Sequence, residues 1–155
     1  MTSARLFLTF CSAVAFTLSC GADAPPSEAQ LLWQRIQNEN YHTFQRAPGH
    51  DTRQPSNTAH AEAVDIYINS VMANAIAAGN PIDTWPADSL VIKEGYTTDG
   101  TLDSIAVINK RQHGWYWAKY IEFETGNAVA SGTPFNCIGC HNSGDDFIRS
   151  FDFPH

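Results

Sequence analysis

Three residues near the end of the sequence have the types and spacing needed to hold a metal cofactor. Cys137, Cys140 and His141 lie within the segment FNCIGCHNSGDDF, in the pattern C-x-x-C-H. Two thiols three residues apart can reach the two vinyl groups on one side of a porphyrin, and the adjacent histidine is then held beneath the iron. Gly139 lets the backbone lie close to the ring. The motif therefore predicts one covalently attached haem c, with His141 as the proximal iron ligand.

Two other chemistries use the same cysteine spacing. A redox-active C-x-x-C pair needs no histidine beside it. A zinc site needs a second pair of ligands, and the remaining histidines are scattered along the sequence. We therefore favour haem attachment over both alternatives.

The ligand on the opposite side of the iron is less evident. An electron-carrying cytochrome usually has a methionine there, and no methionine follows the motif. Met72 lies on a predicted helix, where a position in the core is expected. The other candidates are histidines that are more typical of surfaces and loops: His42, His50, His60 and His113. We therefore expect five-coordinate iron with an open face, which binds small ligands or reacts with them.

The first 20 residues predict export of the chain. Arg5 precedes an apolar run over residues 6–18, which has the form of a secretory signal and is too short to span a membrane. The segment TLSC resembles a lipobox and predicts lipidation of Cys20, although Thr17 stands where leucine is usual. The alternative is a plain secreted start after residues 22–24. Cleavage at either position predicts a periplasmic protein, and cleavage before Cys20 also predicts a lipid anchor.

Length, composition and charge limit the number of domains and the classes of binding partner. The 155 residues suffice for one domain, and a hydrophobic content of 43% supports a core. The net charge of -7 and the scattered lysines and arginines predict no binding to nucleic acid or to anionic membrane surfaces.

The segments that must position the motif predict an α+β fold, mainly an antiparallel sheet of about four to five strands with one or two flanking helices. Ser27 and Gln30 form a capping box for a helix that ends at about Asn38, and residues 46–60 are expected to be a loop. Residues 61–78 could form one helix, but the alternation of Val64, Ile66 and Ile68 favours a strand, followed by a short helix that Asn69 or Ser70 caps and that runs to Ala78. The further predicted strands are residues 89–96, 102–110, 114–123 and a short final one over 147–153. The predicted organisation is a signal over 1–20, a tether, short helix and loop over 21–59, and a haem-binding domain over 60–155.

The order of these segments resembles the cytochrome P-460 and cytochrome c-prime-beta family. WPADSLVIKEGY, AVINK and GWYWAKYIEF precede the C-x-x-C-H motif, and DDFIRSFDF follows it. The resemblance covers roughly residues 60–153. It implies an antiparallel β fold with one c-type haem that often forms homodimers. It also implies Cys137 and Cys140 as attachment points and His141 as the proximal ligand.

The resemblance implies two alternative functions. P-460 members oxidise hydroxylamine in the periplasm and carry a lysine linked covalently to the porphyrin, and the segment VIKE places Lys93 at that position. Similarity to them implies an oxidoreductase for hydroxylamine or nitric oxide, with a redox partner cytochrome. The c-prime-beta relatives instead bind nitric oxide or carbon monoxide at an apolar face without catalysis. A simple electron carrier is a third hypothesis.

The residues themselves leave the environment of Lys93 open. On a strand, Lys93 shares one face with Val91, and Glu94 lies on the other face. A lysine that faces an apolar haem pocket has a lowered pKa and is a better nucleophile. The alternative is an exposed strand lysine beside Glu94.

The distal side of the predicted site departs from the P-460 pattern. Hydroxylamine oxidation is helped by an acidic group near the iron, which accepts protons as electrons leave. The segment VASGTPFN before the motif contains no carboxylate. Glu94, Glu122 and Glu124 are the alternatives, and Phe135 could instead cap an apolar gas pocket.

Overall fold

A computed structural model describes residues 25–155, so the predicted signal over 1–20 and the lipidation of Cys20 lie outside the described residues. Within that range the chain is α+β, with a seven-stranded antiparallel sheet and three α-helices. The helices are α1 (Glu28–Asn38), α2 (Ser70–Ala77) and α3 (Phe135–His141). The strands are β1 (Gln45–Arg46), β2 (Gln54–Thr58), β3 (Ala61–Ile68), β4 (Leu90–Tyr96), β5 (Leu102–Arg111), β6 (Gly114–Tyr120) and β7 (Ala128–Gly132). The sheet order is β1-β3-β4-β5-β6-β7, and β2 pairs with the other end of β3.

The predicted capping box begins the first helix. The Ser27 hydroxyl accepts a hydrogen bond from the Gln30 backbone at 3.2 Å, and the Gln30 side chain accepts one from the Ser27 backbone at 2.7 Å. These bonds satisfy backbone donors that have no partner inside the helix. The helix ends at Asn38, as expected, and its buried face packs on the sheet through Leu32, Trp33 and Ile36.

The predicted strand followed by a helix is confirmed at β3 and α2. The Asn69 side chain accepts a hydrogen bond from the Met72 backbone and donates one to the Asp88 carbonyl at 2.8 Å. This cap fixes the point at which period-two alternation gives way to a helix. Met72 is fully buried in the core, as expected.

The sheet separates two hydrophobic cores. On one face, α1 packs against residues such as Ile92, Val107 and Tyr120. On the other face, β-strand residues such as Ile66 and Trp117 pack with α2, α3 and the C-terminal segment. Helix α1 therefore shares a core with the residues after His60, and strands β1 and β2 belong to the same sheet as those residues.

The prediction of four to five strands was too low. Strands β1, β2 and β7 were missed, and β2 lies within the predicted loop over 46–60. Its sequence, QPSNT, has no apolar alternation, so it belongs to the sheet only through its backbone pairing with β3. The helix that carries the cysteines, α3, was missed as well, and it brings the helix count to three.

The predicted final strand over 147–153 was wrong. Among its residues the structure shows only an isolated bridge between Asp145 and Ile148. The segment instead packs on the core through three buried side chains, those of Ile148, Phe151 and Phe153. The Phe151 and Phe153 rings lie beside Trp85. Within residues 25–155 no helix has the length and apolar character of a membrane-spanning segment.

Candidate functional site

A cavity of about 310 Å³ lies on the face of the sheet opposite α1, beneath helix α3. Its walls are largely apolar and come from strands β4 to β7, helix α3 and the C-terminal segment. The main apolar residues are Val91, Ile108, Trp117, Ile148 and Phe151. The cavity exists because small residues alternate with large ones along the sheet: Ala106 and Ala130 lie in the same cross-strand row as Lys93 and Lys119.

All three motif residues line this cavity. Cys137, Cys140 and His141 lie on α3, where positions i, i+3 and i+4 share one face. Both cysteines are free thiols, and burial raises the pKa of the Cys137 thiol. The structure therefore brings the three predicted site residues to one cavity.

The orientation of His141 is fixed by a hydrogen bond to the backbone. Its Nδ1 lies 2.9 Å from the Phe147 carbonyl oxygen. A carbonyl only accepts hydrogen bonds, so Nδ1 carries the proton and Nε2 retains a free lone pair. Burial lowers the pKa of His141, which favours the neutral form that binds metals. The Trp117 ring packs across the imidazole with centroids 4.8 Å apart.

The loop after the motif is anchored by Asp146. Its carboxylate accepts hydrogen bonds from Lys110 Nζ at 2.7 and 2.8 Å, from Trp115 Nε1 at 3.0 Å and from the Trp85 backbone at 2.8 Å. Asp146 and Phe147 both have left-handed backbone angles, with φ of 42° and 67°. Strained conformations of this kind persist where the surroundings determine them. Asp146 therefore holds the carbonyl that orients His141, a role that the sequence did not reveal.

Lys93 lies in the cavity and not on the exposed surface. Its ammonium donates a hydrogen bond to the Ser150 hydroxyl at 3.2 Å. Burial, together with the charge of Arg149, lowers its pKa to about 8. A substantial fraction of Lys93 is therefore a neutral, nucleophilic amine near pH 8.

The candidate acids lie away from the cavity. Glu94 is 2% exposed on the α1 face, where it accepts hydrogen bonds from the Tyr41 hydroxyl at 2.6 Å and the Tyr96 hydroxyl at 2.7 Å. Glu122 and Glu124 are exposed and do not line it. In the part of the chain that the structure describes, no carboxylate lines this cavity. Phe135 is 86% exposed and does not cap it either.

Of the four candidate histidines, only His60 borders the cavity beside His141. Its ring centroid is 6.1 Å from that of His141, with the ring planes at 90°. Burial and nearby positive charge lower its pKa to about 3. His42 instead lies 2.9 Å from Glu94 on the α1 face, and His113 is exposed at the turn between β5 and β6.

A second cavity of about 460 Å³ adjoins the first on the other side of His60. Its lining is more polar and includes Ser56, Asn57 and Arg149, together with His50, whose Nε2 donates to the Ser150 carbonyl at 2.9 Å. The two cavities share several residues, among them His60, Lys93, Cys140 and His141. These four side chains therefore lie between two cavities, of which the second has the less apolar lining.

The chain matched no protein-family model, no curated protein and no solved structure. Within residues 25–155, no group of three or more His, Cys, Asp or Glu side chains is arranged to hold a metal ion by itself.

Proposed function

We propose that this chain is an exported, mono-haem c-type cytochrome of the P-460 type, which oxidises hydroxylamine or nitric oxide. The observation that carries the proposal is the arrangement on α3. Two free thiols and an imidazole with an unused Nε2 face one apolar cavity. This donor set and this apolar lining fit a covalently attached haem c.

Each motif residue has a separate task in this proposal. The thiols of Cys137 and Cys140 would hold the haem, each through a thioether formed by adding S–H across one vinyl group, without any net oxidation. His141 would hold the iron through Nε2, while its Nδ1–H stays bonded to the Phe147 carbonyl. When bound, the haem supplies an iron centre that binds a small nitrogen compound and accepts its electrons.

The position of Lys93 supports the P-460 type in particular. Its amine borders the same cavity as the two thiols, and its pKa of about 8 makes the neutral form accessible. Joining Nζ to a porphyrin carbon replaces one N–H and one C–H bond, so the step removes two electrons and needs an oxidant of the peroxide class. Lys93 is therefore our candidate for a covalent link between protein and porphyrin.

Gas binding without catalysis is the second candidate function. It is favoured by the absence of a carboxylate among the described residues that line the cavity, since substrate oxidation has to release protons. An apolar wall suits nitric oxide or carbon monoxide, as in a c-prime-beta-like protein. Simple electron transfer remains the third candidate.

The proposal also includes the location, the redox partner and the assembly of the protein. A periplasmic location with a lipid anchor at Cys20 would place the protein where haem c is attached and where a redox partner cytochrome can collect electrons. A homodimer is the proposed assembly.

The test is expression of the full chain in a host that attaches haem c. Mass spectrometry should show one added haem, and the variants Cys137→Ser and Cys140→Ser should each retain at most one thioether. A ferrous Soret band shifted far to the red, lost in Lys93→Ala but retained in Lys119→Ala, would support the cross-link. Lys119 is the matched control because it lies in the same row of the sheet.

The assay separates the two leading functions. Steady-state oxidation of hydroxylamine with an electron acceptor supports the oxidoreductase. An ordinary c-type Soret band that shifts on adding carbon monoxide, with no turnover, supports gas binding. Protein without covalent haem would overturn both.

A further inference from the structure

We propose that His60 is the second axial ligand of the iron, opposite His141, and that a small ligand has to displace it. The inference rests on the proposed function, since it presupposes a haem held by His141. It replaces the expectation of an open, five-coordinate iron with a six-coordinate resting state. Four observations carry it.

The first observation is the spacing of the two rings. Imidazole nitrogens bind transition metals at about 2 Å, so two histidines that share one metal ion have ring centroids roughly 6 Å apart once the ring radii are added. The centroids of His60 and His141 are 6.1 Å apart. Their ring planes are perpendicular, and a metal ion between two imidazoles places no demand on that angle.

The second observation is that both rings have a nitrogen available. His141 uses Nδ1 for the Phe147 carbonyl, which leaves Nε2. The hydrogen bond of His60 to Thr58 comes from its backbone, and within residues 25–155 its ring makes no hydrogen bond. An imidazole that is partly buried beside an apolar cavity without such a partner is suited to a metal.

The third observation is the backbone that carries His60. Ala59 and His60 form the two-residue turn between β2 and β3, where Thr58 pairs with Ala61. Ala61 has a φ of 88°, which is strained for a residue with a Cβ. Gly95 lies against the turn, because a Cβ there would meet the His60 carbonyl oxygen at 2.0 Å. A strained turn that requires a glycine neighbour places His60 at one defined position over the cavity.

The fourth observation is the space behind the ring. A second cavity of about 460 Å³, with a less apolar lining, also borders His60. A displaced imidazole can therefore move into this second cavity and leave an iron coordination position for a small ligand. The turn is held at both ends by strand pairing, so the motion needs only a change of side-chain rotamer.

The experiment uses the holoprotein with haem c attached. Ferric wild type should show a low-spin spectrum in the visible range and by electron paramagnetic resonance. The rate of carbon monoxide binding to ferrous protein should level off at high gas concentration, because release of His60 limits it. His60→Ala should become high-spin, and its carbon monoxide binding should accelerate by on the order of tenfold or more. Added imidazole should restore the low-spin spectrum.

Two further variants keep the test specific. His50→Ala removes a histidine that borders the same second cavity but is bonded to the Ser150 carbonyl, and it should stay low-spin. Gly95→Ala should move the turn and give a mixture of spin states while retaining His60. If His60→Ala does not fold, the ferric spectrum of the wild type and its carbon monoxide binding kinetics still test whether His60 binds the iron.

A high-spin ferric wild type, or a His60→Ala variant that remains low-spin, would overturn the inference. In either case covalent haem would still be present, so the proposed function would stand without His60 as an iron ligand. Absence of covalent haem would remove both together.

Discussion

Replacement of the partly buried Lys93 by methionine should stabilise the protein before haem is attached. Burial lowers the pKa of Lys93 from 10.5 to about 8, whereas the unfolded chain keeps the ordinary value. Holding this lysine as a cation in the folded state therefore costs about 3 kcal/mol well below pH 8. Methionine has a similar length and no charge. It also loses the hydrogen bond to Ser150, which contributes about 1 kcal/mol, so the net gain is about 2 kcal/mol at pH 7.

The contribution of Lys93 to the free energy of unfolding changes with pH in a direction that the lowered pKa determines. Between pH 8 and 10.5 the unfolded chain holds a proton on Lys93 that the folded chain has lost, so wild-type stability from this group rises with pH. The penalty is present below pH 8 and is largely relieved by about pH 10. The advantage of Lys93→Met should therefore shrink steadily above pH 8 and vanish near pH 10.

Urea unfolding followed by tryptophan fluorescence, from pH 6.5 to 10, measures this difference. Lys93→Arg is the matched control, because arginine cannot lose its proton and its cost should not disappear at high pH. The buried Tyr41 and the half-buried Tyr96, whose pKa values are raised, affect wild type and variant alike and cancel in the comparison. A methionine variant that is no more stable at pH 7, or whose advantage does not change with pH, would refute the assignment of Lys93 to an apolar cavity.

Two other substitutions test the polar groups around the site. Glu94→Leu should cost about 3 kcal/mol or more in urea unfolding, because it leaves the buried Tyr41 hydroxyl and the half-buried Tyr96 hydroxyl without an acceptor, and Glu94→Gln should cost less. A loss below about 1 kcal/mol would contradict the described network. Asp146→Ala should cost on the order of 3 kcal/mol, since it leaves Lys110 without its partner, and it should lower the yield of covalent haem by freeing the loop that orients His141. The exposed neighbour provides the control: Asp145→Ala should change neither quantity, and equal effects would exclude an anchoring role.

Predictions from the sequence succeeded where the signal was local. The capping box at Ser27, the change from strand to helix at Asn69 and the strands with clear apolar alternation all appear in the structure. Each depends on residues within a few positions of one another, whose hydrogen bonds and periodicity need no distant partner. The strands that were missed, such as β2, have no such pattern and pair only because a neighbouring strand offers its edge.

The candidate site shows the same difference between local signals and contacts that depend on distant residues. Its donor residues, Cys137, Cys140 and His141, are adjacent in sequence, and their spacing alone predicted that they act together. Their partners come from distant parts of the chain. Lys93 was proposed from a resemblance, and its position in the cavity follows from the register of β4 with β5. Glu94, one residue later, faces the opposite core, which no property of the side chain itself determines.

The sequence by itself determined the C-x-x-C-H spacing, the class of fold and the main helices and strands, since these depend on spacing and local periodicity. Only the tertiary structure decided which side chains meet at the motif. His60 and Lys93 are 81 and 48 positions away from His141 in the sequence. A hairpin turn brings His60, and the register of a strand brings Lys93, to the cavity that His141 also lines. Such contacts are set by the pairing of strands and the packing of cores over the whole chain, and these cannot be read from a short stretch of residues.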